Sequence, residues 1–195
     1  MQTSMQTSMQ AGTLNPLELS RRRSHPALRG VVRVAAAVAV LALSARLSFP
    51  HPFSATPVPV TCQVLAVLAL GLILSRRQAV AAVVSYLALG LAGAPVFAWG
   101  AGGAAVLLGP TAGYLLGFLP AVWLTGGAGS GDGVLKLALR ALGGLALIYL
   151  AGFSWLALLT GDAAAAFQGG VLPFAAPDLL KLVAAVAAAV VFRRR

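Results

Sequence analysis

The sequence predicts an all-α integral membrane protein with six transmembrane helices and with both termini in the cytoplasm. Hydrophobic residues make up 59% of the 195 residues and charged residues only 9%, whereas soluble globular domains carry about 25% charged residues. The hydrophobic residues fall into six apolar stretches. All lysines and arginines except Arg46 and Lys181 lie in the polar tail or near the ends of these stretches, where the positive-inside rule places cytoplasmic charges.

Residues 1–29 form a polar, basic tail in front of the membrane domain predicted for residues 30–195. The tail begins with a repeated Met-Gln-Thr-Ser motif and has no apolar face to bury, so we expect it to be disordered. Its first nine residues include three methionines, each a possible start. The basic block could also open a cleaved secretory signal with 42–44 as the processing site. We favour a membrane helix, because the apolar stretch continues to Phe49.

The first predicted helix, Val31 to Phe49, carries two small residues at a spacing that suits helix association. Ala35 and Ala39 stand four residues apart, and small residues at this interval let another membrane helix approach closely. An alanine-rich composition explains the same pattern without any partner. The following loop, residues 50–60, contains four prolines, which rule out a helix and favour an extended chain.

The remaining helices are separated alternately by basic turns and by loops without basic residues. The second helix ends at Ser75, and the others cover about residues 79–91, 111–124, 136–159 and 177–192. Basic residues flank the turn after the second helix and the turn after the fourth, whereas loops 93–110 and 161–175 have none. This alternation places both termini and both basic turns on the cytoplasmic side.

Four charged or polar residues within the predicted helices lie at similar depths. Counting from the cytoplasmic arginines at about 1.5 Å per residue places Arg46, Gln63 and Lys181 about 18–20 Å into the membrane, and Asp178 slightly deeper. That is beyond the midplane of a hydrocarbon core about 30 Å thick. Charged residues at such depth are rare and usually face a partner or a water-filled site. We therefore expect a ligand site in the outer half of the membrane.

A pocket in this layer suits a small amphipathic molecule with an anionic end. Lys181 or Arg46 can bind a carboxylate, and Asp178 or Gln63 can accept N–H groups of the ligand. Aromatic residues of the outer loops are candidates to cover its apolar body, namely Phe53, Phe97, Trp99 and Phe174. The alternative is that Asp178 and Lys181 only neutralise each other and hold the helices together.

Other classes of function lack the residues they require. The single cysteine, Cys62, excludes an intrachain disulfide, and the two histidines are too few and too far apart for a His-based metal centre. We expect neither a metal nor a cofactor. The chain has no G-x-x-x-x-G-K-[ST] phosphate loop and cannot hydrolyse ATP by that route. A membrane enzyme would need a nucleophile with a base, or a metal site, and we expect neither here. The net charge of +10 comes mainly from basic residues in the polar tail and near the ends of the apolar stretches, which indicates membrane topology rather than nucleic-acid binding.

Three stretches form a specific combination. The first is PVPVTCQ at 57–63, the second is GAPVF at 93–97 followed by GPTAGYLLGF at 109–118, and the third is GVLPF at 170–174 followed by PDLLK at 177–181. In this order and spacing they resemble the BioY family, the biotin-specific substrate-binding components (S components) of energy-coupling factor (ECF) transporters. The resemblance covers roughly residues 31–192 and leaves out the polar tail.

The resemblance implies an ECF S-component fold that captures biotin on the extracytoplasmic side of the bacterial cytoplasmic membrane and delivers it inward. It implies ligand contacts from Asp178 and Lys181, and docking of a coupling transmembrane subunit on Ala35 and Ala39. Separate ATPase subunits would supply the energy. Without such partners the chain would act alone or as a homo-oligomer. An S component for another vitamin is the alternative that keeps the same fold.

Five further residues are candidate ligand contacts: Gln63, Tyr86, Trp99, Tyr114 and Arg46. The family can place polar contacts around the third helix and the loop that follows it. Here the predicted third helix contains no asparagine, and loop 93–110 has no basic residue. Arg46 is expected to compensate because of its depth.

Overall fold

The computed structural model of the chain describes residues 16–49, 58–129 and 131–193. The described helices are α1 (Pro16–Arg46), α2 (Gln63–Ile73), α3 (Arg76–Leu91), α4 (Ala112–Thr125), α5 (Val134–Thr160), α6 (Ala163–Gly170) and α7 (Leu172–Arg193). Two short strands, β1 (Ser48–Phe49) and β2 (Val60–Thr61), pair antiparallel. Two 3-10 helices, Ala98–Gly100 and Ala104–Leu108, lie between α3 and α4. The chain is therefore mainly helical, as its composition predicts.

Three of the described helices are long and apolar enough to cross a membrane: Ala27–Arg46, Val134–Thr160 and Leu172–Arg193. The apolar helices α2 and α4 have 11 and 14 residues, and α3 has 16. A helix perpendicular to a hydrocarbon core about 30 Å thick needs about 20 residues. The structure thus supports a membrane protein with three candidate spans, and the six predicted crossings and their orientation stay a prediction.

The first helix begins and ends earlier than the sequence pattern predicts. It starts at Pro16, inside the tail that was expected to have no structure before residue 30, and it ends at Arg46 rather than at Phe49. Proline suits the first position of a helix, and the leucine, glutamate and arginine residues that follow are good helix formers. A helix can therefore form without an apolar face. The beginning of the tail, residues 1–15, lies outside the described residues.

The segment before the last helix is helical, where a loop was predicted. Asp162 caps α6 by accepting hydrogen bonds from the N–H groups of Ala164 and Ala165, as acidic and hydroxyl side chains commonly do. The last helix then begins at Leu172 and includes Pro177, which was predicted to start it. Proline removes one backbone hydrogen bond, a loss that helices of membrane proteins tolerate. The loop predicted for 161–175 is therefore wrong over most of its length.

Residues 34–195 form one compact unit, in which α4 and α5 pack closely through glycine. A Cβ atom at Gly113 would lie 2.3 Å from the Cβ atom of Trp155 and 2.5 Å from the carbonyl oxygen of Ala151. Any side chain at this position would push the two helices apart. Close approach through small residues is a common way for membrane helices to associate.

Basic residues join the helix ends opposite the cavity described below. Arg193, in the last turn of α7, donates hydrogen bonds to the carbonyl oxygens of Leu72, at 2.6 Å, and Gly129, at 2.9 Å.

The turn before α5 holds Asp132, whose carboxylate lies 2.6 Å from the Lys136 ammonium. That hydrogen bond lowers the pKa of Asp132 below its usual value. The ion pair is therefore intact at neutral pH and is lost only as the pH falls through this lowered pKa.

Candidate functional site

A cavity of about 610 Å³, which includes the open space at its mouth, lies among α2, α4, α5, α7 and the loop that follows α3. Most of its walls are apolar, formed by Val58, Pro59, Val64, Phe97, Ala98, Leu115, Phe118, Ile148 and Phe174. Polar groups reach it from Thr61, Gln63, Thr111, Tyr114, Tyr149, Asp178 and Lys181. The cavity combines apolar walls with a few polar groups, as sites for small organic ligands do.

The buried charges of the cavity belong to Asp178 and Lys181. They stand three residues apart on α7 and therefore share one face of the helix. The Nζ atom of Lys181 lies 2.7 Å from Oδ1 of Asp178, and the hydroxyl of Tyr149 donates a hydrogen bond of 2.8 Å to Oδ2. Only 3% of Asp178 is exposed. Each carboxylate oxygen therefore accepts one hydrogen bond, as a buried polar group requires.

Another part of the cavity wall is formed by Gln63, which is hydrogen-bonded to Tyr86. Gln63 is the first residue of α2, and its backbone N–H donates to the hydroxyl of Thr61 at 3.2 Å. Its side-chain Nε2 donates to the hydroxyl of Tyr86 at 2.8 Å. The Tyr86 hydroxyl in turn donates to the carbonyl oxygen of Val96 at 3.1 Å. Gln63 is thereby held at the cavity wall by two neighbouring elements.

Tyr114, on α4, is a further polar residue of the cavity wall. Its hydroxyl donates a hydrogen bond of 2.7 Å to the carbonyl oxygen of Gly170, at the end of α6. Its ring rests on Gly152 of α5, where a Cβ atom would lie 2.3 Å from ring carbons. The missing side chain at Gly152 therefore makes room for the tyrosine ring.

The structure brings four of the predicted ligand contacts together at the cavity: Asp178, Lys181, Gln63 and Tyr114. Tyr86 is fully buried behind Gln63 and is not a lining residue. Of the predicted aromatic cover, Phe97 and Phe174 line the cavity, whereas Phe53 lies outside the described residues.

Arg46 and Trp99 are not among the residues that line this cavity. Arg46 is exposed, and its guanidinium donates a hydrogen bond to the carbonyl oxygen of Pro95. Counting residues along an axis gives depth but not direction around the helix, so equal depth did not bring Arg46 to the other polar groups. Trp99 is 60% exposed and lines a neighbouring cavity of about 600 Å³, which shares Pro59 and Phe97 with the first.

The predicted docking residues Ala35 and Ala39 lie on an exposed part of α1. Valines and leucines of the same helix are also exposed, among them Val40 at 45% and Leu43 at 67%. Lipid or another protein can cover such an apolar surface. The exposure of the two alanines is compatible with docking and does not test it.

Sequence reasoning missed Tyr149. It lies in the middle of α5, where its hydroxyl is the second hydrogen-bond donor to the buried carboxylate. A phenol hydroxyl in the centre of an otherwise apolar membrane helix needs a hydrogen-bond partner. The presence of a tyrosine within the apolar stretch could therefore have identified Tyr149. The aspartate predicted inside the membrane, Asp178, was a possible hydrogen-bond partner.

The arrangement offers both charged and neutral polar groups for binding, together with apolar walls. Lys181 is a cation for an anionic group, while the carboxylate of Asp178 and the amide of Gln63 can accept hydrogen bonds. Phe97, Phe118 and Phe174 provide apolar aromatic surface in the same cavity. Across the described ranges, no group of three or more His, Cys, Asp or Glu side chains is placed to hold a metal ion.

Comparison with known proteins gives concordant results. A probable biotin transporter BioY of Pyrococcus horikoshii is 42% identical over 153 residues, which cover 78% of this chain and 89% of the relative. The biotin transporter BioY of Thermotoga maritima is 35% identical over 159 residues, which cover 81% and 92% of the two chains. The crystal structure of the S-component for biotin from an ECF-type ABC transporter is similar with a TM-score of 0.76. It is 25% identical, and the match covers 87% of this chain and 92% of that one.

The family assignment rests on nearly the whole chain. Residues 9–195 match the BioY family, and this range contains all three stretches on which the resemblance was first noted. The two relatives are more than 30% identical over more than two thirds of the chain. The chain belongs to the BioY family.

Proposed function

We propose that this chain is a transporter subunit that binds biotin in the cavity between α2 and α7 and delivers it across a membrane. The observation that carries the proposal is a buried Lys181–Asp178 pair at the wall of an otherwise apolar cavity of about 610 Å³. The names of the relatives from Pyrococcus and Thermotoga, both biotin transporters, support the same ligand. The similar crystal structure is an S-component for biotin.

The chemistry of biotin suits the groups that line the cavity. Biotin carries a carboxylate on a flexible apolar chain, joined to a fused ring system with two ureido N–H groups and one ureido carbonyl. Lys181 binds the carboxylate through a charge-assisted hydrogen bond. Gln63 accepts an N–H of the ureido ring, and Asp178 holds Lys181 in position. Phe97, Phe118 and Phe174 cover the apolar parts of the ligand.

The proposed topology has six membrane crossings, with both termini in the cytoplasm of a bacterium. In this arrangement the cavity opens toward the extracytoplasmic side, because the arginines of α7 and of the turn after α2 lie at the other ends of their helices. The short helices α2, α3 and α4 then cross only with the help of their loops. Buried loops are tolerated at membrane depth when they line a cavity.

The proposed partners are a coupling transmembrane subunit and separate ATPase subunits, since the chain has no phosphate loop of its own. We place the coupling subunit on α1, at Ala35 and Ala39. Changing both to leucine is expected to abolish co-purification with that subunit while biotin binding stays intact. Ala36→Leu, on a neighbouring exposed face of α1, is the matched control. A complex that survives the double change would mean that the two alanines do not form the docking surface.

Ligand binding by the purified chain tests the central proposal. We expect equilibrium dialysis with labelled biotin in detergent to give one biotin per chain, displaced by unlabelled biotin and not by thiamine or riboflavin. Preferential binding of another vitamin would keep the transporter fold and overturn the proposed ligand. Turnover of a bound compound would favour a membrane enzyme instead.

A further inference from the structure

We infer that Tyr86 is a positioning residue that determines which hydrogen-bonding group Gln63 offers to the ligand. The inference rests on the proposed binding of biotin and concerns how the N–H groups of its ureido ring are recognised. Tyr86 is fully buried and lies behind the cavity wall rather than in it. It therefore acts on the ligand through Gln63, whose side chain lines the cavity.

The direction of the hydrogen bonds follows from what each group can donate. The carbonyl oxygen of Val96 can only accept, and it lies 3.1 Å from the Tyr86 hydroxyl. The single hydrogen of the phenol is thus used for Val96. The hydroxyl oxygen then has to act as the acceptor toward Gln63, whose Nε2 lies 2.8 Å away. A reversed amide would put two acceptors in competition for one hydrogen and lose one of the two bonds.

Gln63 is in this way held in one orientation. One N–H of its amide is bound to Tyr86, and the carbonyl oxygen Oε1 takes no part in that bond. Gln63 is only 5% exposed, and a reversal of its amide would give up the hydrogen bond to Tyr86 with little access to water in exchange. The amide therefore offers the cavity an acceptor, which suits an N–H donor of the ligand and disfavours an oxygen at the same place.

Packing around Tyr86 makes this orientation rigid. The ring of Phe97 meets the Tyr86 ring edge to face, with centroids 5.4 Å apart and an interplanar angle of 87°. Phe97 itself lies against Gly90 of α3, where a Cβ atom would be 2.1 Å from the ring. Because Val96 and Phe97 are consecutive, the same stretch of loop provides both the hydrogen-bond acceptor and the aromatic contact.

Two isosteric ligands and one isosteric variant test the role of Tyr86. The ligands are the two biotin analogues in which one ureido N–H is replaced by a ring oxygen, and the variant is Tyr86→Phe. We expect the wild-type chain to bind one of the analogues roughly 10- to 100-fold more weakly than biotin, because two acceptors then face each other. In Tyr86→Phe the amide of Gln63 is free to turn over. We therefore expect the affinity for biotin and the affinity for that analogue to differ by no more than about threefold.

Controls separate this role from a purely structural one. The ratio of the affinities for biotin and biotinamide, which differ only at the carboxylate, is expected to be the same in both proteins. Gln63→Met is a second variant that removes the amide itself and is expected to remove the preference over the oxygen analogue. An equal loss of affinity for biotin and both analogues in Tyr86→Phe, with the ratios unchanged, would overturn the inference.

The failure of the inference can be told apart from the failure of the proposed function. If the wild-type chain binds biotin and both oxygen analogues equally well, biotin remains the ligand. The proposal that Gln63 accepts a ureido N–H in one fixed orientation is then refuted. Absence of biotin binding by the wild-type chain would overturn both. If Tyr86→Phe does not yield folded protein, Gln63→Met provides the test. If Gln63→Met still prefers biotin over the oxygen analogue as strongly as the wild type does, the inference is refuted.

Discussion

Replacing Lys181 with alanine is expected to weaken biotin binding strongly, because it removes a cation and leaves a carboxylate buried. Asp178 is 3% exposed, and after the change its hydrogen-bond donor on the described side chains is Tyr149. Truncating one partner of a buried charge pair costs on the order of 2–5 kcal/mol. Part of the Lys181 side chain, 15%, stays exposed to water, so we expect the lower half of this range. At about 1.4 kcal/mol per decade, that is roughly 30- to 300-fold in affinity.

A double variant separates binding from structure. In Asp178→Asn with Lys181→Met both charges are removed, and no buried charge is left without a partner. An ion pair that only joins helices can be replaced in this way with little change, or even a gain, in stability. We expect the double variant to insert and to unfold at a temperature close to that of the wild type. We also expect it to bind biotin at least about 30-fold more weakly than the wild type, because the carboxylate of the ligand has lost its cation.

The measurements are equilibrium dialysis for biotin and thermal unfolding, both in the same detergent. Lys136→Ala is the matched control, since Lys136 also lies close to an aspartate, at 2.6 Å, but is 61% exposed. Exposed ion pairs contribute about 0–1 kcal/mol, so this control should bind biotin normally. Wild-type affinity in the double variant would refute the reasoning and assign Asp178 and Lys181 to helix association. The ligand site would then have to be sought around Gln63.

Two further predictions concern packing and topology. Gly113→Ala is expected to destabilise the fold by about 1–3 kcal/mol, because its new methyl group meets backbone. The control Gly143→Ala meets only a flexible leucine side chain and should be nearly neutral. Equal melting temperatures of the two variants would contradict the packing argument. In a Cys62→Ala background, an impermeant thiol reagent added outside cells should label Ala105→Cys and not Gly131→Cys. Labelling of position 131 from outside would overturn the topology.

The depth of the charged residues was readable from the sequence, but their direction was not. A distance counted along a helix from an arginine needs only the rise per residue, and it singled out Asp178, Lys181 and Gln63, all of which line the cavity. The same count included Arg46, which instead binds the carbonyl oxygen of Pro95. Which face of a helix meets the cavity depends on how the helices pack, and a periodicity in an almost uniformly apolar helix does not reveal that.

The helix boundaries show a similar division. Prolines and glycines predicted loops at residues 50–60 and 93–110, because these residues disfavour a regular helix. The second segment does separate α3 from α4 and includes two 3-10 helices, whereas residues 50–57 lie outside the described residues. Pro177 was read by the same rule as the start of the last helix, yet it lies within α7. The helix continues through it because a membrane helix can lose one backbone hydrogen bond when neighbouring groups satisfy the exposed carbonyl.

The sequence by itself determined that this is a helical protein with apolar helices of membrane type and with Asp178 and Lys181 three residues apart in the last of them. These conclusions depend on composition and local spacing, which are properties of the chain before it folds, whereas the BioY family was indicated by the resemblance of three stretches to that family. Only the tertiary structure decided that Tyr149 completes the hydrogen bonding of Asp178 and that Tyr86 holds Gln63 from behind. Both contacts join residues more than twenty positions apart on different helices, so they exist only once the helices have packed together.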